Sequence, residues 1–138
     1  MRWVAPINSK ETIDAVLALK TWAVVGLGNN PERAAFGVAK LLQDKGHRII
    51  PVYPRAEEVH GEAGYKTLAD IPEQVDVVDC FVNSKLVGKV VDEAIAIGAK
   101  AVWLQLDVID HEAVGRAQAA GLLTVMDRCP AIEYRARA

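Results

Sequence analysis

A glycine-rich turn follows the first apolar run of the sequence and precedes a predicted helix. It contains Gly26, Gly28 and Asn29, and Arg33 stands at its end. Small residues let the backbone approach a phosphate, and the free amides at a helix start attract an anion, to which an arginine adds a charge-assisted contact. The dinucleotide fingerprint is incomplete, because Pro31 replaces its third glycine. A tight turn without a ligand is the alternative, but the order of strand, turn and helix favours an anion site.

The end of the second predicted strand bears on which nucleotide this site would take. NAD-binding folds place an acidic residue there to hold the ribose hydroxyls. This sequence reads Tyr53, Pro54 and Arg55 instead, and its first acids come later, at Glu57 and Glu58. An aromatic ring and an arginine suit a phosphorylated ribose, as in coenzyme A (CoA) or NADP. An ordinary solvated arginine explains the same residues equally well.

Two further loops should reach the same edge of the sheet, because ligands bind outside the carboxyl ends of parallel strands. Phe81, Val82 and Asn83 follow the third predicted strand and would press on an adenine or a pantetheine arm. A strand end capped by Asn83 is an equally good interpretation. Gln105 follows the fourth strand, and a buried glutamine is more typical of a structural hydrogen bond than of a catalyst.

The histidines show no metal-ligand spacing. His47 opens a predicted strand and His111 opens a predicted helix, so we expect both on the solvated surface. His60 lies in the long connection between the second and third strands, and its role stays open. We therefore expect no metal site.

Other reactive groups also lack partners. Arg128 would lower the pKa of the Cys129 thiol, but no partner histidine is evident, and a structural thiol is favoured. Asp76 and Asp79 are interpreted as strand-edge or capping groups rather than an acid/base pair. The sequence thus holds no convincing catalytic constellation, and we expect a protein that is not an enzyme.

The elements that would position these loops repeat one pattern of helix, glycine and short apolar run. Glycine just past a helix end accepts the left-handed conformation that closes it, and runs rich in β-branched residues suit buried strands. The predicted strands are Trp22–Leu27, His47–Val52, Val75–Phe81, Ala101–Leu104 and Leu122–Met126. The helices of the pattern end at Gly46, Gly98 and Gly121.

Helix caps and apolar stripes support the same reading. Asn8 and Glu11 predict a capping box at the start of a first helix. Asn83 or Ser84 would cap the later helix, and Asp110 the one after it. The predicted buried stripes are Ile13, Val16 and Leu17 in the first helix, and Leu86, Val87, Val90, Val91, Ala94 and Ile95 in the later one.

Strands that alternate with helices predict an α/β fold, a three-layer Rossmann-like arrangement with a five-stranded parallel sheet and helices on both faces. Because crossovers are right-handed, we predict the strand order 3-2-1-4-5, with the switch point beside the first strand. That order would hold Cys80 and Cys129 near opposite edges, too far apart for a disulfide. Residues 1–138 form one domain in this reading, with 1–20 as a leader helix packed on it and a loosely packed basic tail after Pro130.

Composition excludes several classes of protein. The chain has 138 residues, of which 51% are hydrophobic and 25% charged, and this suits a globular domain with a core of its own. A net charge of −2 argues against a nucleic-acid binder. No apolar run is long enough to span a membrane, and no signal peptide is evident. We therefore expect a cytoplasmic protein.

The sequence resembles the small bacterial and archaeal CoA-binding proteins of the YccU-like family, whose fold is the CoA-binding Rossmann domain of succinyl-CoA synthetase. The resemblance runs from about Thr21 to about Glu133. It is carried by stretches that include Ala23-Val24-Val25-Gly26, Pro31-Glu32-Arg33, Ile50-Pro51-Val52, Glu58-Val59-His60-Gly61-Glu62, Leu68-Ala69-Asp70-Ile71-Pro72, Trp103-Leu104-Gln105-Leu106 and Met126-Asp127-Arg128-Cys129-Pro130.

The resemblance implies that CoA lies along the loops after the first three strands. Gly26, Gly28 and Asn29 would then meet the phosphates with help from Arg33. Tyr53, Pro54 and Arg55 would border the adenosine end, and Phe81, Val82 and Asn83 would line the arm. The family often has serine at the position of Gly28 and arginine at that of Val82, and losing these phosphate contacts is expected to weaken binding.

Three functions compete at this point. The favoured one is a stand-alone module that binds CoA or acyl-CoA without catalysis of its own. The second is an enzyme that acts on a CoA thioester, with Cys129 or Gln105 near the thiol. The third is an NADP-linked oxidoreductase, which the incomplete glycine fingerprint disfavours.

Overall fold

The computed structural model describes residues 4–138, and in that part of the chain strands and helices alternate as the sequence pattern predicts. The strands are β1 (Thr21–Val25), β2 (Arg48–Val52), β3 (Val77–Cys80), β4 (Ala101–Leu104) and β5 (Leu123–Val125). The α-helices are α1 (Lys10–Leu17), α2 (Ala34–Asp44), α3 (Ser84–Ala96), α4 (His111–Ala119) and α5 (Pro130–Ala136), and a 3-10 turn covers Leu68–Asp70. Of the predicted leader segment, residues 1–3 lie outside the described residues.

All five strands run parallel in one sheet, which confirms the predicted α/β class, but the predicted strand order is wrong. The observed order is β2-β1-β3-β4-β5, so β1 pairs with β2 on one side and with β3 on the other. No α-helix separates β2 from β3, and residues 53–76 carry the chain past β1 instead of returning it beside β2. The third strand therefore lies at the centre of the sheet, and all four of its residues are buried.

Helices cover both faces of the sheet, as predicted. The apolar sides of α3 and α4 pack on one face, and those of α1, α2 and α5 pack on the other. Buried parallel strands need such cover, because each strand is apolar on both sides. No helix within residues 4–138 has the length and apolar character that a bilayer crossing requires.

The helix ends follow the predicted signals with one exception. Asn83 caps α3 and Asp110 caps α4, each by accepting backbone N–H bonds. The exception is α1, whose cap is Ser9 rather than Asn8. Asn8 instead exchanges two hydrogen bonds with the backbone of Met126, at 2.9 and 2.8 Å, and this ties the start of α1 to the end of β5.

The segment after Pro130 is a helix and not a loose tail, and Arg137 ties it to α1. Arg137 Nε lies 2.6 Å from a carboxylate oxygen of Asp14, and its Nη1 lies 3.0 Å from Glu133. His47 also packs against α5 through Tyr134, so its predicted place on the solvated surface is wrong. Its ring nitrogens contact the carbonyl of Leu19 and the hydroxyl of Tyr134, and burial lowers its pKa.

Asp76, just before β3, and Asp79, within β3, differ in environment. Asp76 behaves as the predicted capping group, since its carboxylate accepts the N–H of Thr21 at 3.1 Å. Asp79 does not lie at an edge: it is 0% exposed in the central strand, and neither carboxylate oxygen has a hydrogen-bond partner within the described residues. Burial raises the pKa of the Asp79 carboxyl well above its usual range and thereby favours its neutral form in the folded protein.

The central position of β3 also corrects the predicted place of Cys80 near an edge of the sheet. Cys80 lies in the middle of the sheet and not at an edge. Cys80 and Cys129 are both free and buried.

Replacement of Asp79 by asparagine should change how stability depends on pH. In the unfolded chain the Asp79 carboxyl has a pKa of about 3.9. The native state keeps the proton to higher pH, because burial raises the pKa. The Asp79 contribution to the free energy of unfolding therefore falls as the pH rises above about 4. Relative to wild type, Asp79→Asn should gain about 1.4 kcal/mol per pH unit until the native-state pKa is reached.

Urea unfolding at several pH values checks this expectation. Asp70→Asn is the control, because Asp70 is exposed and forms no ion pair within the described residues. A parallel pH profile for Asp79→Asn and wild type would contradict the neutral buried carboxyl.

Candidate functional site

A cavity of about 1050 Å³ opens at the carboxyl edge of the sheet. Its walls come from the loops that follow β1, β2, β3 and β4, together with the start of α2 and one side of α3 from Leu86 to Glu93. With β1 between β2 and β3, the chain reverses its direction of winding there, and open α/β sheets bind ligands at this switch point. The volume slightly exceeds the usual range for ligand sites, about 300–1,000 Å³, which suits a long ligand.

The structure brings nine of the ten predicted site residues to this cavity. They are Gly26, Gly28, Asn29, Arg33, Tyr53, Pro54, Arg55, Phe81 and Val82. The tenth, Asn83, is not among the lining residues, because its side chain caps α3 by accepting from the N–H groups of Lys85 and Leu86.

Gly26 is required by the close approach of two chain segments. Its φ is +101°, and a Cβ at this position would stand 2.4 Å from the carbonyl oxygen of Phe81. Its own N–H donates to the carbonyl of Val52 at 2.8 Å. A glycine is therefore needed here to let the loop after β1 pass between the ends of its two neighbouring strands.

Gly28 faces the loop after β2. A Cβ on this residue would lie 3.3 Å from Oε1 of Glu57 and 3.4 Å from the ring of Tyr53. A side chain larger than a methyl group would crowd both of these side chains. The glycine thus keeps the passage between the two loops open.

The start of α2 faces the cavity without a side-chain cap. Its N-cap residue is Arg33, which makes no capping hydrogen bond, and its first turn contains no acidic residue. Side chains do cap α1, α3 and α4. Uncompensated N–H groups at a helix start carry partial positive charge and favour an anion.

Basic side chains outnumber acidic ones around the cavity, although the whole chain has a net charge of −2. Neither the basic nor the acidic side chains that line the cavity form an ion pair within residues 4–138. The basic residues are Arg33, Arg55, Lys66 and Lys89, and the acidic ones are Glu57 and Glu93. Their charge is therefore available to a ligand.

Several of these lining residues carried no recognisable signal in the sequence. Lys66 and Thr67 reach the cavity because Tyr65 bridges to Val52 of β2. The backbone bonds of this bridge join Tyr65 N–H to the Pro51 carbonyl and Tyr53 N–H to the Tyr65 carbonyl, each at 3.0 Å. Such a pairing across the long connection leaves no local pattern to read.

The far end of the cavity, formed by α3 and the loops after β3 and β4, has mostly apolar walls around Gln105. Gln105 is 6% exposed and lines the cavity. Its Oε1 has no hydrogen-bond partner within the described residues, so the structural hydrogen bond expected for this amide does not form at that atom. Leu86, predicted in the buried stripe of α3, is 59% exposed and contributes to the cavity wall. The other apolar residues of this end are Val82, Val90, Leu106 and Val108.

The remaining reactive side chains lie elsewhere. Among the described residues, neither a histidine nor a cysteine lines the cavity. Cys129 is 7% exposed at the start of α5. His60, whose role the sequence left open, contacts the carbonyl of Phe36 through Nε2 at 2.8 Å. His111 is exposed, as predicted.

Comparison with known proteins gives one consistent answer. The sequence model described as "CoA binding domain" matches residues 20–135. The uncharacterized protein YneT of Bacillus subtilis is 34% identical over 122 residues, which are 88% of this chain and 90% of YneT. A hypothetical protein from Pyrococcus horikoshii OT3 has 40% identity and a structure that superposes with a TM-score of 0.89, covering 99% of this chain and 98% of that one.

A shorter match connects the chain to a larger enzyme. The alpha subunit of acetate–CoA ligase [ADP-forming] II from Pyrococcus furiosus is 36% identical over 81 residues, which are 58% of this chain and only 18% of that subunit. The likeness therefore concerns one part of the ligase subunit. Because the family model covers residues 20–135, the chain belongs to the CoA-binding domain family.

Proposed function

We propose that the chain binds coenzyme A or an acyl-CoA in the cavity and does not itself catalyse a reaction. The uncapped start of α2, which faces a cavity with more basic than acidic side chains, carries this proposal. It suits the diphosphate of such a ligand, because a helix start and free arginines both favour anionic oxygens.

The rest of the ligand fits the remaining walls. Tyr53, Pro54 and Arg55 would border the adenosine end, and Phe81 and Val82 would contact the pantetheine arm. Lys66 and Lys89 add positive charge to a cavity that has valine where the family often has arginine. Asn83 would act only through α3, whose start it caps.

The composition of the cavity also supports the absence of catalysis. A thioester enzyme that used Cys129 would need this thiol in the cavity, and Cys129 is not among the lining residues. Gln105 is there, but an amide neither attacks a thioester nor exchanges a proton at neutral pH. The composition of the whole chain, with its net charge of −2, further favours a cytoplasmic protein whose ligand is a small molecule and not a nucleic acid.

Titration calorimetry with CoA tests the proposal. We expect saturable binding in the micromolar range, about −8 kcal/mol, and weaker binding of NAD and NADP. Arg33→Ala and Arg55→Ala should each weaken CoA binding about ten-fold or more, the cost of a lost charge-assisted contact. Arg135→Ala is the matched control, because Arg135 is an exposed arginine of α5 outside the cavity.

Two results would contradict this proposal. One is the absence of any CoA heat with the folded wild-type protein. The other is an equal effect of the control and the two cavity variants.

Replacement of Gly28 by valine should close the passage between the first two loops. The added side chain must displace Tyr53 and Glu57. Overpacking of this kind costs about 1–3 kcal/mol of stability, and the crowded passage should weaken CoA binding about ten-fold or more, which corresponds to about 1.4 kcal/mol of binding free energy. Circular dichroism should show an unchanged fold, since the φ of Gly28 is not in the left-handed region.

Gly37→Ala provides the control for this change. Gly37 lies in α2, and nothing stands within 4 Å of a Cβ placed there, so CoA affinity should be unchanged. Wild-type affinity in folded Gly28→Val would place the ligand elsewhere.

A further inference from the structure

The loop after β2 puts a carboxylate at the anion site. Glu57 is half-buried and lines the cavity. Its Oε1 lies 3.3 Å from where a Cβ of Gly28 would stand, and its Oε2 lies 3.5 Å from Nδ2 of Asn29. The acid that was missing from the strand end in the sequence thus reaches the glycine-rich turn from farther along the chain.

Asn29 is turned toward the same segment. Its Nδ2 donates to the backbone carbonyl of Glu58 at 2.8 Å. This amide was expected to meet a phosphate, but in the structure its hydrogens serve the loop after β2. A phosphate can take this donor only if the bonds to Glu57 and Glu58 are given up.

The charge of Glu57 is not neutralised by a neighbour. It forms no ion pair within the described residues, although Arg33 and Arg55 line the same cavity. A carboxylate and a phosphate repel each other at close range, and both are attracted by the same helix start. The two anions therefore compete for one place.

We propose that Glu57 is a charge-selecting residue, an intramolecular competitor that lowers the affinity of the cavity for anionic groups at the glycine-rich turn. The penalty falls on every ligand that places phosphate there. Small anions such as pyrophosphate, which have no other contacts, are held off most effectively. A ligand with an additional apolar arm gains compensating contacts at the far end of the cavity. The inference deepens the proposed function and rests on it for the identity of the natural ligand.

Glu57→Gln removes the charge and keeps an amide oxygen that Asn29 can still donate to. At low salt the variant should bind both CoA and inorganic pyrophosphate about five-fold more tightly than wild type, the scale of one partly exposed charge interaction. The gain should shrink in about 1 M salt, where charges are screened within about 3 Å. Wild type and Glu57→Gln should bind pantetheine, which carries no phosphate, with equal affinity.

Glu58→Gln is the matched control, since it makes the same change of charge one residue away on an exposed side chain. It should leave the affinity for both anions within about two-fold of wild type. Thermal unfolding of each variant shows whether the fold is retained.

The outcomes separate the two proposals. Tighter pyrophosphate binding by Glu57→Gln without any CoA binding would support the charge selection and refute CoA as the ligand. Wild-type CoA binding that Glu57→Gln leaves equal or weaker would refute the charge selection and leave the proposed function intact. Equal gains in Glu57→Gln and Glu58→Gln, or no pyrophosphate binding by any variant, would also overturn the charge selection.

Discussion

The close approach of the chain after β1 to the end of β3 determines where a ligand can lie. Gly26 sits so near the carbonyl of Phe81 that no side chain fits between them, and its N–H is bonded to the last residue of β2. Three neighbouring strands thus end together, and the loops that follow them share one cavity. If β3 lay beyond β2, as the sequence suggested, the loop after β3 would stand one strand farther from the glycine-rich turn.

Electrostatics then gives this cavity its character. A chain with an overall negative charge collects four basic side chains and an uncapped helix start around one opening. The acidic Glu57 stands against this trend, beside the glycine that keeps the opening clear. On the account proposed above, this site attracts anions and is yet selective, since a phosphate at the glycine-rich turn would meet the carboxylate of Glu57 and the ligand would need contacts of its own.

Local features of the fold were predictable, and long-range ones were not. The strands, the caps of Asn83 and Asp110 and the helix-ending glycines are properties of short segments, so the sequence showed them. The helix-ending glycines Gly46, Gly98 and Gly121, for example, all have a positive φ. The order of the strands depends on which partner β3 finds across the 53–76 connection, and no short segment encodes that choice.

The same distinction holds at the site. Nine of the ten predicted residues line the cavity because the carboxyl ends of parallel strands must meet. Lys66 and Glu57 were missed because a bridge at Tyr65 and a folded-back loop bring them there. Burial of Asp79 and the contact of His47 with Tyr134 likewise depend on tertiary packing, which overrides the polar character of a single residue.

In the proposed function, the turn between β1 and α2 receives the phosphates of the ligand. Backbone amide shifts in a two-dimensional nitrogen–proton NMR titration with CoA test it most directly. We expect the largest shifts on residues 26–36, and we expect pantetheine, which has no phosphate, to leave these amides unmoved. Saturable shifts confined to other parts of the chain, with residues 26–36 unchanged, would contradict it.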